Sequence, residues 1–286
     1  MTKKIRMIYP QWQGGMNPNY VFGAKLLQHI VPKGTESVFE IDVDTNFDNK
    51  LDTVFGIDKG NILLKQMNQV TQILENENPT HIITLGGDCS VSQRPFDYLS
   101  KLYKNELGIL WLDAHPDIST PSDSSHLHEM VSANLIGLNQ DNQITKVEYP
   151  ISSERIFYAG LIEEKLRKMD SKIKELKLQF STPEQIYQNH DTLTKWIKDN
   201  QIKYIAVHWD LDVLSPQDYR SIYPAEPYLD SDCFPAAIGQ LSLKNIESIL
   251  NTISSNAEIV GLTLAEHLPW DGFDLNSVLS SIPIFL

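Results

Sequence analysis

"GILWLDAHPD", residues 108–117, decides how this chain reads. It opens as a continuous apolar run of strand length, the pattern of a strand covered on both faces, as in a parallel sheet. It then sets Asp113, His115 and Asp117 at alternate positions. Side chains at i and i+2 of an extended chain point the same way, so these three groups can converge just beyond a buried strand. In open parallel sheets ligands bind beyond the carboxyl ends of the strands, which makes the residues after each apolar run the ones to inspect.

Seven other runs have strand character: "IRMIY" (5–9), "SVFEI" (37–41), "HIITLG" (81–86), "RIFYAG" (155–160), "LQFS" (178–181), "YIAVHWD" (204–210) and "EIVGLTL" (258–264). Between them, "GNILLKQMNQVTQILENEN" (60–78) repeats apolar residues at helical spacing, and "LSLKNIESILNTIS" (241–254) does so behind a serine cap. Strands alternating with amphipathic helices predict an α/β fold on one parallel sheet. No internal repeat, low-complexity tract or linker-like shift in composition divides residues 1–286, so one domain is expected.

Four strand ends carry polar residues that a purely structural chain does not require: "GGDCS" (86–90), "DAHPD" (113–117), "DLD" (210–212) and "AEHLP" (265–269). Taken alone, D-x-D is more often a turn or helix cap than a ligand pair, and D-x-H-x-D can be a hydrogen-bonded corner. Two glycines after a strand can cradle a phosphate or merely permit a tight turn. No lysine follows them in the Walker pattern, which argues against a nucleotide loop. Together the four ends say more. If Asp113, Asp117, Asp210 and Asp212 share one small volume, their repulsion must be balanced by cations, and two divalent ions would do so. Carboxylates with imidazole suit manganese, with zinc, cobalt or iron(II) as alternatives.

Composition narrows the partners. A formal charge of −13 argues against nucleic acid and favours a cationic ligand. No stretch approaches the roughly 20 apolar residues that span a bilayer, and the first ten residues lack an apolar signal core, so a cytoplasmic location and no membrane partner are expected. Cys89 and Cys233 could form at most one disulfide, and an intracellular chain keeps them reduced.

In this order the motifs resemble those of the ureohydrolase family, which includes arginase and agmatinase. Its marks are G-G-D-H-S, D-A-H-x-D, H-G-M-P, S-x-D-x-D-x-x-D-P and a late glutamate. Here they read "GGDCS", "DAHPD", "HEMV" (128–131), "HWDLDVLSP" (208–216) and "EHLP" (266–269). The resemblance implies a three-layer α/β/α sandwich on an eight-stranded parallel sheet, a homo-oligomer, and hydrolysis of a small cationic guanidino substrate to urea. It implies two manganese ions held by Asp113, His115, Asp117, Asp210, Asp212 and, in place of the family histidine, Cys89. His128 falls on the proton shuttle, and Glu266 on the carboxylate that holds the guanidinium.

The departures are as informative. A thiolate at Cys89 favours zinc, cobalt or iron over manganese, while the plainer reading is a small buried side chain beside a single-metal site. Cysteine there, with the Tyr- and Pro-containing stretch "SPQDYRSIYPAEP" (215–227), also resembles the branch that hydrolyses Nω-hydroxy-arginine. Ser119 stands where arginases carry a substrate-binding asparagine. Lys165 stands where they carry an aspartate for the α-amino group, so either Glu163 or Glu164 replaces it or the substrate has a carboxylate and no amine. Glu129, where the family has glycine, is either a solvated helix residue or a new contact for a cationic substrate. A non-catalytic binding protein on the same fold is the rival of another class.

Overall fold

All six residues of Leu107–Leu112 are buried, and their side chains alternate between two cores. Ile109 and Trp111 enter one; Leu110 and Leu112 enter the other. A strand covered twice requires helices on both faces of its sheet, and the computed structural model, which describes residues 2–47, 52–230, 234–280 and 284, has them. The strands are β1 (Lys4–Tyr9), β2 (Ser37–Glu40), β3 (His81–Gly86), β4 (Leu107–Leu112), β5 (Ile156–Ala159), β6 (Gln179–Ser181), β7 (Tyr204–Asp210) and β8 (Glu258–Ala265). They form one sheet of order β2-β1-β3-β8-β7-β4-β5-β6. Every pair in it is parallel.

The expected strands are all present, each within about one residue at either end. Helix Gly60–Glu77 lays Val70 and Leu74 against one face together with Phe96 and Leu99 of helix Gln93–Tyr103. On the other face, Trp196 of helix Asp191–Asp199 packs with Ile246, Ile249 and Ile253 of helix Leu243–Ser254. The serine cap is formed as well: Ser242 Oγ accepts from the Asn245 backbone N–H. The result is an α/β/α sandwich.

Strand order carries the functional consequence. The four ends with polar residues belong to β3, β8, β7 and β4, which are consecutive neighbours at the middle of the sheet. Residues 89 to 266 in sequence are thereby gathered at one edge.

Candidate metal centre

Each strand end delivers its side chains by a different local device. After β3, the Asp88 carboxylate caps a short 3₁₀ turn, Cys89–Ser92, by accepting from the Ser90 backbone N–H at 3.0 Å. Its other oxygen accepts from the Gly15 N–H at 3.2 Å and so ties the N-terminal loop to the turn that carries Cys89. Gly87 has to be glycine, since a Cβ there would lie 1.7 Å from the Gln11 carbonyl oxygen. After β4, the Asp113 carboxylate accepts from the His115 backbone N–H at 2.7 Å and from Trp111 Nε1 at 3.0 Å. After β7, Asp210 Oδ1 accepts from the Asp212 N–H at 2.7 Å and curls the chain into a 3₁₀ turn. After β8, the Glu266 N–H donates to the Gly87 carbonyl at 2.7 Å, joining the ends of β3 and β8.

These turns bring together the residues singled out from sequence. Potential donor atoms of Cys89, Asp113, Asp117 and His208 all lie within 4.8 Å of one another, as do those of Cys89, Asp210 and Glu266, and those of Asp113, His115 and Asp212. Cys89 Sγ is 2.8 Å from Asp210 Oδ2, and His115 Nδ1 is 3.2 Å from Asp212 Oδ2. Asp117 and Glu266 adopt positive φ, 47° and 62°. Left-handed backbone at non-glycine residues is held against its own cost, about 1–3 kcal/mol, by the surrounding structure.

Electrostatics show the strain of this gathering. Burial, reinforced by the Asp212 charge, pushes the Asp113 carboxyl up to about 6. Asp117, Asp210 and Glu266 are driven well above the usual carboxylate range by burial and then by neighbouring charges, that of Asp113 on Asp117 and that of Asp212 on Asp210 and Glu266. Burial likewise pushes the Cys89 thiol up. Asp212 alone is held low, because the His115 imidazole and hydrogen bonds outweigh its burial. Buried donor atoms with no hydrogen-bond partner include His115 Nε2, Asp117 Oδ2 and Asp212 Oδ1. Crowded carboxylates and orphaned lone pairs are the donor set that divalent cations satisfy, so these residues fit a metal group.

Above the cluster lies a cavity of about 600 Å³, lined by Cys89, His115, Asp117, Asp210, Asp212 and Glu266 below and by His128, Glu129, Arg167, Tyr20 and Tyr223 on its walls. A model of the arginase family matches residues 26–227 of the 286. The chain belongs to the arginase family. It is 26% identical over 209 residues to an arginase of Coccidioides posadasii, covering 66% of this chain and 59% of that protein. It is 28% identical over 220 residues to the arginase of Bacillus subtilis, covering 71% of each. The crystal structure of Entamoeba histolytica arginase in complex with L-ornithine superposes with a TM-score of 0.71 at 19% identity, over 94% of this chain and 92% of that one.

Against the arginase-family motifs, the remaining sequence expectations divide. His128 lines the cavity, and its Nδ1 donates to the Gly14 carbonyl at 2.8 Å, leaving Nε2 as the free ring nitrogen. Burial holds its pKa below the usual value, so the ring is neutral at pH 7. Ser119 is fully buried and is not among the described residues that line the cavity; its N–H donates to the Glu129 carbonyl beneath the wall. Lys165 and Glu164 are exposed and Glu163 pairs with Lys174, all outside the cavity lining. The nearby cation that does line it is Arg167. Glu129 is not a solvated residue: it is half-buried, accepts from Arg167 Nη1 at 2.7 Å and from Ser124 Oγ at 2.5 Å, and is held low despite its burial by His128, Ser124 and Arg167. Cys233 lies outside the described residues; Cys89 is a free, buried thiol.

Two further residues at the cluster were not singled out from the sequence. Tyr20, fully buried under the N-terminal loop, hydrogen-bonds the Glu266 carboxylate. His208, inside β7, stacks on Trp111 and is held neutral by burial, its pKa lowered to about 3. Tyr20 sits more than 240 residues from its partner, and no local pattern marks it. His208 could have been found, since it shares the face of Asp210 two residues on and occupies the serine of S-x-D-x-D.

The raised carboxyls set a pH dependence for metal-free protein. An acid whose folded pKa is raised favours folding while protonated, and that advantage disappears as pH rises through the folded value. Asp117, Asp210 and Glu266 are shifted in this sense, and so in effect is His115, whose pKa the neighbouring carboxylates raise despite its burial. Above about pH 6.5 the histidines held neutral no longer oppose it. Thermal unfolding in a chelator is therefore expected to fall between about pH 6.5 and 8, with manganese or zinc reversing the fall; a flat or rising profile would contradict the crowding described above.

Proposed function

We propose that this chain is a metal-dependent ureohydrolase that hydrolyses a guanidino C–N bond and releases urea. The observation that carries the reading is a cavity lined by four crowded donors, His115, Asp117, Asp210 and Asp212, with Cys89, with Asp113 clustered against them, and lined also by a carboxylate, Glu266, and a neutral imidazole, His128. Asp113, His115, Asp117, Asp210, Asp212 and Cys89 would hold two divalent cations. Bound there, such cations would lower the pKa of bound water enough to supply hydroxide at neutral pH.

The chain's own groups account for the rest. Glu266, fixed through its backbone by Gly87 and through its side chain by Tyr20, orients a planar guanidinium over the floor. Burial around it excludes competing water. As the C–N bond breaks, the leaving nitrogen needs a proton; His128 Nε2, unprotonated while Nδ1–H is held by the Gly14 carbonyl, would take that proton from solvent and deliver it. Products are urea and an amine.

A second reading, hydrolysis of a hydroxyguanidine, is favoured by the loop 215–227: its Tyr223 and Glu226 line the same cavity as Cys89. The test is release of urea from arginine, agmatine and guanidino-carboxylic acids, and of hydroxyurea from Nω-hydroxy-arginine, with manganese, zinc, cobalt or iron(II) added to purified protein. Turnover of one compound supports the hydrolase and names its substrate. Neither urea nor hydroxyurea from any compound with any of these metals would sink the reading in favour of a binding protein. On the active substrate, Glu266→Gln keeps the acceptor for Tyr20 but removes the charge. A hydrogen bond to a charged group contributes about 1.5–3 kcal/mol, so kcat/KM is expected to fall on the order of 10–100-fold, mostly through KM, with metal content unchanged.

A further inference from the structure

We infer that His208 Nε2 is a direct cation donor, completing with Cys89, Asp113 and Asp117 a site that the Cys89 substitution would otherwise leave without a nitrogen ligand. The inference rests on the reading of the cluster as a cation centre and extends it to a residue outside the ligands that the motifs mark.

Four observations carry it. The donor-capable atoms of these four side chains lie within 4.8 Å of one another, a spacing that one ion can bridge, and all four residues are buried. His208 has no exposed surface and its Nε2 has no hydrogen-bond partner, an orphan that a buried imidazole does not ordinarily keep. Its other nitrogen, Nδ1, is 2.8 Å from Ser92 Oγ; with Nδ1–H donated to that hydroxyl, Nε2 carries the lone pair. The ring is clamped against Trp111, centroids 3.7 Å apart and planes inclined by 15°, and Trp111 in turn donates to Asp113. An imidazole locked by a stack on one side and a hydroxyl on the other is oriented as metal-binding histidines are.

The sequence supports the same conclusion. Of the motifs, G-G-D-H-S and S-x-D-x-D are broken here at residues 89 and 208, where cysteine replaces histidine and histidine replaces serine. Those two departures meet in one cluster although 119 residues separate them. The imidazole has moved from the turn after β3 to the wall formed by β7. A thiolate, an imidazole and two carboxylates make a softer set than the all-N,O one and favour zinc, cobalt or iron(II) over manganese.

The experiment uses the full chain and compares it with His208→Ser, His208→Gln and the double variant Cys89→His with His208→Ser, which returns the imidazole to residue 89. Zinc and cobalt binding are measured by equilibrium dialysis, and imidazole coordination by X-ray absorption on zinc-loaded protein. With His115 and His208 both bound, the parent is expected to show about one imidazole per zinc, and His208→Ser about half that or a single remaining zinc, with affinity at the lost site down on the order of 100-fold or more. The double variant is expected to regain the second imidazole. Should His208→Ser not fold, as judged by circular dichroism, His208→Gln decides, since it keeps a polar side chain of similar size. Equal stoichiometry, affinity and imidazole scattering in parent and variants would overturn the inference while leaving the cation centre standing. No zinc or cobalt bound by the parent would overturn both.

Discussion

Asp210→Asn is expected to cut urea production on the order of 1,000-fold and to abolish tight binding of the second cation, yet to make the metal-free protein harder to unfold. Losing a cation's stabilisation removes several kcal/mol from the transition state, and about 1.4 kcal/mol corresponds to each tenfold in rate. The opposite sign for stability follows from the site. Asp210 is 2% exposed, and its carboxyl is raised by burial and then by Asp212, Glu266 and Asp113. Asparagine keeps the acceptor for the Asp212 N–H and presents an NH₂ toward Cys89 and Glu266, so the turn survives while one repelling charge is removed. Metal analysis, a urea assay and thermal unfolding in a chelator check the three parts. A variant that loses activity and also unfolds at lower temperature without metal would mean that Asp210 is structural in its own right.

His128→Asn is expected to lower kcat by about 100- to 10,000-fold, the range for loss of a general acid or base, with KM and metal content little changed. The choice of asparagine isolates the chemistry. Its side-chain NH₂ can reproduce the Nδ1–H donated to the Gly14 carbonyl, so the N-terminal loop stays in place while the second ring nitrogen disappears. Added imidazole is expected to restore part of the rate in proportion to its concentration. If kcat is unchanged, the proton must travel by another route. If KM rises as steeply as kcat falls, His128 binds substrate instead of moving a proton.

The sheet was legible in the sequence because a strand covered on both faces has to be apolar at nearly every position, and Leu107–Leu112 or Tyr204–Asp210 satisfy that locally. The gathering of candidate donors was legible because D-x-H-x-D and D-x-D place their side chains by backbone geometry alone. What could not be read are the contacts made across long sequence separations. Glu129 looked solvated beside His128, and its partner Arg167 arrives from a separate loop 38 residues on. Lys165 looked like the cation facing the substrate, but the 3₁₀ turn Glu163–Lys165 holds it in solvent while Arg167 turns inward. Ser119 looked like a substrate contact, but the chain after Asp117, itself in left-handed conformation, passes beneath Glu129 and takes Ser119 below the wall.

The place of β8 has a consequence for how the donor cluster is completed. It is the final strand among the described residues, yet it lies inside the sheet, between β3 and β7. Without β8 the other strands fall into two separate groups, β2-β1-β3 and β7-β4-β5-β6, with Cys89 on one and Asp113, Asp117 and Asp210 on the other. Each half has an unpaired inner edge, the kind of surface that recruits chaperones or pairs with the wrong chain. The donor cluster is thus complete only when β8 is paired on both sides, because that pairing is what joins the turn carrying Cys89 to the ends of β7 and β4.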